Sequence, residues 1–158
     1  MSVRLADERD MGALLRIEED CFGAERFSPD TIRAFLQRDD TFVLIAEEGG
    51  LAVGSAMCIV SRFERQGRIA SIAIMKQHRK RGIGSKLLEE CESMLLKNDL
   101  TRLSLEVETI NEPAIALYST RGYEVKGLLR DFYGFGRHAF YMEKRIPARG
   151  RSVKIKPS

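Results

Sequence analysis

The residues that most clearly indicate chemistry lie in a basic, glycine-containing turn at positions 79–85, RKRGIGS. The preceding GRIASIAIM is apolar and predicts a strand, and the following KLLEECESMLLK predicts an amphipathic helix. The start of a helix exposes unpaired backbone N–H groups and a partial positive charge. Glycines let the backbone approach a ligand closely, and arginines add charge-assisted hydrogen bonds. The turn therefore predicts an anion site for a phosphate or pyrophosphate group.

Two other phosphate-binding motifs do not fit this turn. A dinucleotide-binding fingerprint would place a third glycine three residues after Gly84, where Leu87 stands. A P-loop requires the spacing G-x-x-x-x-G-K-[ST], whereas Gly82 and Gly84 are separated by a single residue. A tight turn with a solvated basic face stays open as the alternative for the G-x-G pattern taken alone.

Length and charge distribution indicate one domain with a basic end. The chain has 158 residues and a formal net charge of +3. The segment 147–158, PARGRSVKIKPS, has four basic residues and no acidic one, which leaves the remainder at −1. We therefore expect one domain over residues 1–146 and a basic, flexible tail over 147–158 that could contact ribosomes or other polyanions. A near-neutral body argues against direct nucleic-acid binding by the core.

Cysteine usage and hydropathy predict a cytoplasmic protein. Cys21, Cys58 and Cys91 are widely separated and show no metal-ligand spacing, so we expect reduced thiols and no metal. The N-terminal residues lack an apolar signal region, and no stretch reaches the roughly 18 apolar residues needed to span a membrane. No membrane association is therefore expected, whereas the oligomeric state is not predicted.

The remaining sequence must supply the elements that position the turn. Apolar periodicity and turn residues predict the order β-α-α-β-β-β-α-β-α-β-β. Ser28 and Pro29 are typical of a helix start, as is Asn111, and Gly122 is typical of a helix end. Hairpins mixed with crossover helices predict an α/β protein with a mixed sheet rather than a regular doubly wound alternation.

Two motifs in this order resemble a known superfamily. The strand, R-x-x-G-x-G, helix and strand are followed by N-x-x-A-x-x-L-Y-x-x-x-G-Y at residues 111–123. This arrangement resembles the GCN5-related N-acetyltransferase (GNAT) superfamily, and the segment 69–124 looks like the RimI-type ribosomal-protein alanine acetyltransferases and related archaeal N-terminal acetyltransferases. The resemblance implies a GNAT fold: a central, mixed, mostly antiparallel sheet of about seven strands flanked by four helices.

The resemblance also implies acetyl-CoA as co-substrate. The backbone of Ile72, Ala73 and Ile74 would pair with the pantetheine arm as an added strand would. Asn111 would hydrogen-bond the pantetheine, and Arg79 is the leading basic residue of the motif. The pyrophosphate would be held by the N–H groups of Lys80, Arg81, Gly82, Ile83, Gly84 and Ser85.

The same resemblance implies the catalytic pair. Acetyl transfer to an amine requires removal of a proton from the ammonium, stabilisation of the carbonyl oxygen and protonation of the departing thiolate. Glu106 and Tyr118, twelve residues apart, match the RimI-type base and acid. The alternatives are that Glu106 is a solvated acid beside Glu108 and that the Tyr118 ring only packs between helix and sheet.

The acceptor would lie between two further segments. In the resembling family, the loop between the first two helices and the final hairpin line the peptide groove; here these are residues 22–29 and 130–139. Glu25, Phe27 and Tyr133 are the predicted substrate contacts, with core packing the alternative for Phe27. The family commonly carries an acidic turn where this chain has GRHA at 136–139, a change that favours acidic residues after the first acceptor residue.

The sequence thus predicts acetylation of the N-terminal α-amine of a protein or peptide, with a ribosomal protein as one candidate, by direct attack in a ternary complex. Acetylation of a lysine side chain or a small amine is the alternative within the same chemistry. An alternative of another class is a non-catalytic acetyl-CoA-binding or ribosome-associated module.

Overall fold

A computed structural model describes residues 1–147, so the predicted basic tail lies, apart from Pro147, outside the described residues. The order of elements is the predicted one. The helices are α1 (Met11–Phe22), α2 (Pro29–Gln37), α3 (Ile83–Leu95) and α4 (Glu112–Thr120). The strands are β1 (Ser2–Leu5), β2 (Thr41–Glu48), β3 (Leu51–Ser61), β4 (Gln66–Ile74), β5 (Arg102–Glu108), β6 (Glu124–Gly134) and β7 (Arg137–Arg145).

All seven strands form one sheet in the order β1-β2-β3-β4-β5-β7-β6. Only β4 and β5 are parallel, and every other neighbouring pair is antiparallel. The connection between the parallel strands contains α3, as a crossover requires. The predicted mixed, mostly antiparallel seven-stranded sheet with four helices is confirmed.

The central strands β4 and β5 part from each other halfway along their length. They pair at four positions, from Gln66 opposite Arg102 to Ile69 opposite Leu105. At the next position β4 carries a bulge, because Cys58 of β3 lies opposite Ile69 while Met57 lies opposite Ser71. Ala70 is therefore an extra residue, and such a residue bends its strand. Beyond it β4 continues along β3 and β5 continues along β7, which opens a cleft between them.

Apolar side chains cover both faces of the sheet. The larger core cluster joins α3 to the strands through residues such as Leu87, Leu103 and Leu105, and a second cluster joins α1 and α2 to β2 and β3. Helix α2 begins as predicted, with the Ser28 hydroxyl accepting from the Thr31 N–H at 3.1 Å. The alternation in β5 therefore leaves Leu103, Leu105 and Val107 in the larger cluster and turns Glu106 away from it.

One buried carboxylate, that of Glu92, links several elements around the larger core cluster. The Glu92 side chain on α3 is 7% exposed and accepts hydrogen bonds from Arg121 at 2.7 Å, the Tyr123 hydroxyl at 2.8 Å and Lys144 at 3.2 Å. Burial, and then the Glu92 charge, raise the pKa of the Tyr123 phenol, which stays protonated as the donor. Glu92 thereby joins α3, the end of α4 and β7 through charged hydrogen bonds.

Candidate active site

The basic turn presents free backbone N–H groups at the start of α3. Gly82 has φ +80° and Lys80 has φ +65°, so the chain passes through left-handed conformations before the helix begins. Within residues 1–147, no N–H from 79 to 85 donates a hydrogen bond to the protein. Such amides at a helix start form an anion site. The turn, the predicted cradle, therefore has the backbone geometry of an anion site, and binding of a phosphate there stays a prediction.

Gly84 allows this end of α3 to lie close to its neighbours. A Cβ at this position would lie 3.7 Å from the nearest carbon of Leu117 and 3.9 Å from that of Ile74, which is ordinary contact. Alanine would fit there, whereas a larger side chain would push α4 or β4 away. At Gly82 a Cβ would meet no atom of the described residues within 4 Å, so glycine is favoured at this position by its backbone conformation alone.

The basic side chains in and beside the turn differ in whether they bind other residues of the protein. The Arg79 Nε donates to the Ile74 carbonyl at 2.8 Å, which ties the turn to the end of β4. Arg81 and His78 each contact the same Glu48 oxygen at 3.1 Å, and His78 is the main cause of the lowered pKa of that carboxyl. The exposed Lys80 forms no ion pair with any residue the structure describes. Its ammonium is therefore available to an anion.

Glu106 stands where the two central strands part. It directly follows Leu105, the last residue of β5 that pairs with β4. Its side chain is 12% exposed, and Arg68 donates to Oε1 from Nε at 3.0 Å and from Nη2 at 2.9 Å. No donor in residues 1–147 contacts Oε2. One carboxylate oxygen is therefore fixed by Arg68 and the other can accept a proton in the cleft.

Tyr118 offers a protonated phenol on α4. Burial, and then the nearby Tyr133 and Cys91, raise its pKa to about 12, so the hydroxyl keeps its proton at neutral pH. The ring meets Tyr123 edge-on, with 6.1 Å between the ring centroids. In the described part of the chain the hydroxyl has no hydrogen-bond partner. The Tyr118 ring therefore does pack against its neighbours, as the packing alternative proposed, but its O–H is also available as a donor.

The final hairpin brings Tyr133 to the same region. Burial, and then the charges of the nearby Glu106 and Glu108, raise the pKa of its phenol to about 12. The hairpin end is irregular: Asp131 has φ +54°, its carboxylate accepts from the Gly136 N–H at 2.7 Å, and its own N–H donates to His138 Nδ1 at 3.0 Å. These bonds hold the segment that carries Tyr133.

Arg137 connects three parts of this region. It donates to both oxygens of Glu108 at 2.9 Å and 3.0 Å and also pairs with Glu25 in the loop after α1. Its guanidinium carbon lies 5.8 Å from the centre of the Tyr133 ring. Glu25, which we expected to be free for an ammonium, therefore already has a cationic partner.

Two other predicted residues have local structural roles. Phe27 stacks on Phe35 with 6.2 Å between ring centroids and lies in the core cluster under α1 and α2, which supports the packing alternative. The Asn111 side-chain oxygen accepts from the Ala114 N–H at 3.3 Å and caps α4, which leaves its amide hydrogens free. Contact of either residue with a ligand stays a prediction.

Sequence reasoning missed two charged residues that shape the site. Arg68 was not singled out, although its place on the polar face of β4 was a signal that it could meet Glu106. Glu18 on α1 is 1% exposed, accepts from the Phe27 N–H at 2.8 Å, and has no partner for Oε2 within residues 1–147. Burial raises its pKa, and the bond fixes the loop that carries Glu25. The local sequence gave no sign that Glu18 is buried, because two further acidic residues, Glu19 and Asp20, follow it.

The described residues offer neither a metal cluster nor a membrane-spanning helix. Among residues 1–147, no three His, Cys, Asp or Glu side chains are grouped so that they could hold a metal ion. In the same range, no helix has the length and apolar character needed to cross a membrane.

Comparison with known proteins agrees with this geometry. The model of the acetyltransferase (GNAT) family matches residues 11–123. An N-alpha-acetyltransferase of Saccharolobus solfataricus is 35% identical over 84 residues, or 52% of this chain and 50% of the relative. The streptothricin acetyltransferase of Streptomyces lavendulae is 32% identical over 111 residues, or 68% of this chain and 58% of the relative. The chain therefore spans about half the length of the archaeal relative.

A solved structure extends the likeness to nearly the whole chain. The ribosomal-protein-alanine N-acetyltransferase from Brucella melitensis is 26% identical, with a TM-score of 0.79 over 92% of this chain and 100% of that one. Since the family model covers well over half of the sequence, the superfamily predicted from the two motifs is confirmed: the chain belongs to the acetyltransferase (GNAT) family.

Proposed function

We propose that this protein transfers an acetyl group from acetyl-CoA to the N-terminal α-amine of a protein or peptide. The observation that carries the proposal is the cleft between β4 and β5, which has free amides at residues 79–85 near one end and Glu106 at the other. Members of the family use acetyl-CoA, and the archaeal and Brucella relatives are named for α-amine and ribosomal-protein-alanine acetylation. A ribosomal protein is accordingly one candidate acceptor, and a cytoplasmic location remains our prediction.

The residues present fit acetyl-CoA. Beyond Ala70, the edge of β4 that faces the cleft pairs with no strand in residues 1–147, so Ile72, Ala73 and Ile74 can hydrogen-bond the amides of the pantetheine arm as an additional strand would. The amides of 80–85 and the Lys80 ammonium would hold the pyrophosphate. The free side-chain amide of Asn111 would donate to the pantetheine.

The proposed chemistry follows from two groups of the site, the Glu106 Oε2 atom and the Tyr118 hydroxyl. The Glu106 Oε2 would accept a proton from the acceptor ammonium, directly or through a water molecule. The neutral amine then forms a bond to the acetyl carbon, and a backbone N–H of 72–74 stabilises the oxygen as it gains charge. As the carbon–sulfur bond breaks, the Tyr118 hydroxyl would donate its proton to the sulfur, and the proton that the new amide nitrogen loses would return through water to the Tyr118 phenolate. Arg68 keeps Glu106 directed into the cleft.

The pKa of the acceptor favours an α-amine over a lysine. An α-amine has a pKa near 8 and a lysine side chain about 10.4, so the α-amine is deprotonated more readily at neutral pH. The streptothricin acetyltransferase, named for a small molecule, supports the alternative of a small amine.

A peptide panel tests the proposal. We expect thiol release from acetyl-CoA with peptides that have a free α-amine, with mass spectrometry placing the acetyl group on that amine. Matched peptides with a blocked α-amine and an internal lysine should give no product. Acetylation of the blocked peptides alone would contradict the proposal in favour of lysine acetylation, and an absence of thiol release with every amine would favour a binding module.

A pair of glycine variants tests the cradle. Because φ is +80° at Gly82, alanine there costs about 1–2 kcal/mol and should shift the turn, weakening coenzyme A binding by about fivefold or more. Gly84→Ala is the matched control, since its Cβ fits and the affinity should stay nearly unchanged. Calorimetric titration of both variants gives the answer. Equal affinities for the wild type and Gly82→Ala would show that the amides of this turn do not bind the pyrophosphate.

A further inference from the structure

Arg137 binds Glu108 more firmly than it binds Glu25. Toward Glu108 the guanidinium makes two hydrogen bonds, and the Glu108 side chain is only 21% exposed. Arg137 is also the main cause of the lowered pKa of that carboxyl. Toward Glu25 it makes a single contact, and the Glu25 side chain is 58% exposed. Exposed ion pairs contribute little net free energy, so Glu25 can be exchanged while Glu108 holds the arginine in place.

The position of Arg137 relative to Glu106 suggests which carboxylate could replace Glu25. Glu106 and Glu108 lie on the same face of β5, about 7 Å apart along the strand. Because Arg137 is bound to Glu108, its guanidinium lies about two residues along β5 from Glu106, where the acceptor amine would be deprotonated. An extended peptide advances by roughly 3.3–3.6 Å per residue, which brings the side chain after the N-terminal residue within reach of this guanidinium.

The neighbouring cation is less suited to bind the acceptor. Arg68 directs both Nε and Nη2 at the same oxygen of Glu106, and a carboxylate that drew it away would release the proposed base. Arg137 could exchange its Glu25 contact without disturbing Glu106. The Tyr133 ring, 5.8 Å from the guanidinium carbon, restricts where that group can move.

We propose that Arg137 is a specificity-determining residue that selects acceptors with aspartate or glutamate as their second residue. The carboxylate of the acceptor takes the place of the Glu25 carboxylate at Arg137 Nη1, while Glu108 keeps both of its hydrogen bonds. This inference rests on the proposed acetylation of α-amines and adds the class of acceptor sequence.

Three peptides that differ only at the second residue, with Glu, Gln or Lys after an N-terminal Ala, test it with the full-length protein. We expect kcat/KM of the wild type to be about fivefold higher for the Glu peptide than for the Gln peptide, mainly through a lower KM, since the Glu peptide exchanges the exposed Glu25 contact of Arg137 for an ion pair with the acceptor and such pairs contribute little free energy. The Lys peptide should be the poorest substrate. Raising the salt concentration should reduce the preference.

Variants assign the preference to one side chain. Arg137→Gln should bring the Glu and Gln peptides to similar kcat/KM, and Arg137→Lys should keep part of the preference because it keeps the charge. Glu25→Gln should increase the preference, since it weakens the competing carboxylate. Arg33→Gln, which removes an exposed arginine paired with Asp30 on α2, is the matched control and should preserve the wild-type preference.

Two outcomes would overturn the inference, and they can be told apart from failure of the proposed function. If the wild type acetylates the α-amines of all three peptides equally well, or if folded Arg137→Gln keeps the full preference, acceptor selection by Arg137 is wrong while α-amine acetylation stands. If none of the three α-amines is acetylated, both proposals fail. Urea unfolding of each variant shows whether it is folded under the assay conditions.

Discussion

Tyr118→Phe is expected to lower kcat by about 10²–10⁴-fold, the usual contribution of a positioned proton donor. The structure provides the reason: burial raises the pKa of this phenol to about 12, and its hydroxyl donates to no group in residues 1–147. Phenylalanine keeps the ring and its edge contact with Tyr123 and removes only the O–H. The affinity for acetyl-CoA should therefore change little. Steady-state rates of thiol release, combined with calorimetric titration, separate the two effects.

Tyr123→Phe is the matched control for this change. Tyr123 is 2% exposed and packs against Tyr118, but its hydroxyl donates to Glu92 on the far side of the core. Its loss should reduce the free energy of unfolding and leave turnover of the folded protein nearly intact. If Tyr118→Phe kept the turnover of the wild type, the thiolate would take its proton from another source and Tyr118 would be a packing residue only.

Glu92→Gln is expected to reduce the free energy of unfolding by about 3 kcal/mol, toward the lower end of what breaking a buried ion pair costs. The substitution keeps the size of the side chain but removes the charge that Arg121 and Lys144 share. Both partners are 29% exposed, so water compensates for part of the loss. Urea unfolding, followed by circular dichroism, measures the effect.

Glu90→Gln on the same helix is the control for this prediction. Glu90 pairs with Lys86 at 3.2 Å and is 36% exposed, so its replacement should change stability by no more than about 0.5 kcal/mol. Equal midpoints of unfolding for the two variants would mean that the Glu92 network contributes no more than a surface pair.

The sequence was sufficient for the order of elements because local patterns determine each one. The apolar alternation of β5 and the Ser28 and Asn111 caps act over a few residues and appear in the structure where they were predicted. The sequence pattern of residues 7–22 predicts a single helix capped by Asp7, and here the structure differs in detail. Asp7 caps a short 3-10 turn at Glu8–Asp10, and α1 begins only at Met11. The Asp10 side chain explains this, because it accepts from the Asp7 N–H and holds the turn.

The parts of the site that the sequence did not reveal depend on contacts between distant segments. The extra residue Ala70 can be recognised only once β3 is aligned beside β4. The pair between Arg68 and Glu106 requires the parallel register of β4 and β5, and the contact between Arg137 and Glu25 joins residues 112 positions apart. Residue type and spacing identified the cradle, and the family resemblance added Glu106 and Tyr118 as candidates. Only the packed sheet shows which of their atoms are free.

The short pairing of β4 with β5 also has a mechanical consequence. The first strand and the last belong to opposite sides of this junction, so a force applied between residues 2 and 145 would be transmitted across it. Four ladder positions and the apolar contacts of Leu103 and Leu105 beneath them carry that load. Only the pairing of β1 with β2, which also has four positions, is as short along this path, so stretching the molecule from its ends should load this joint along the same line at which the cleft is open.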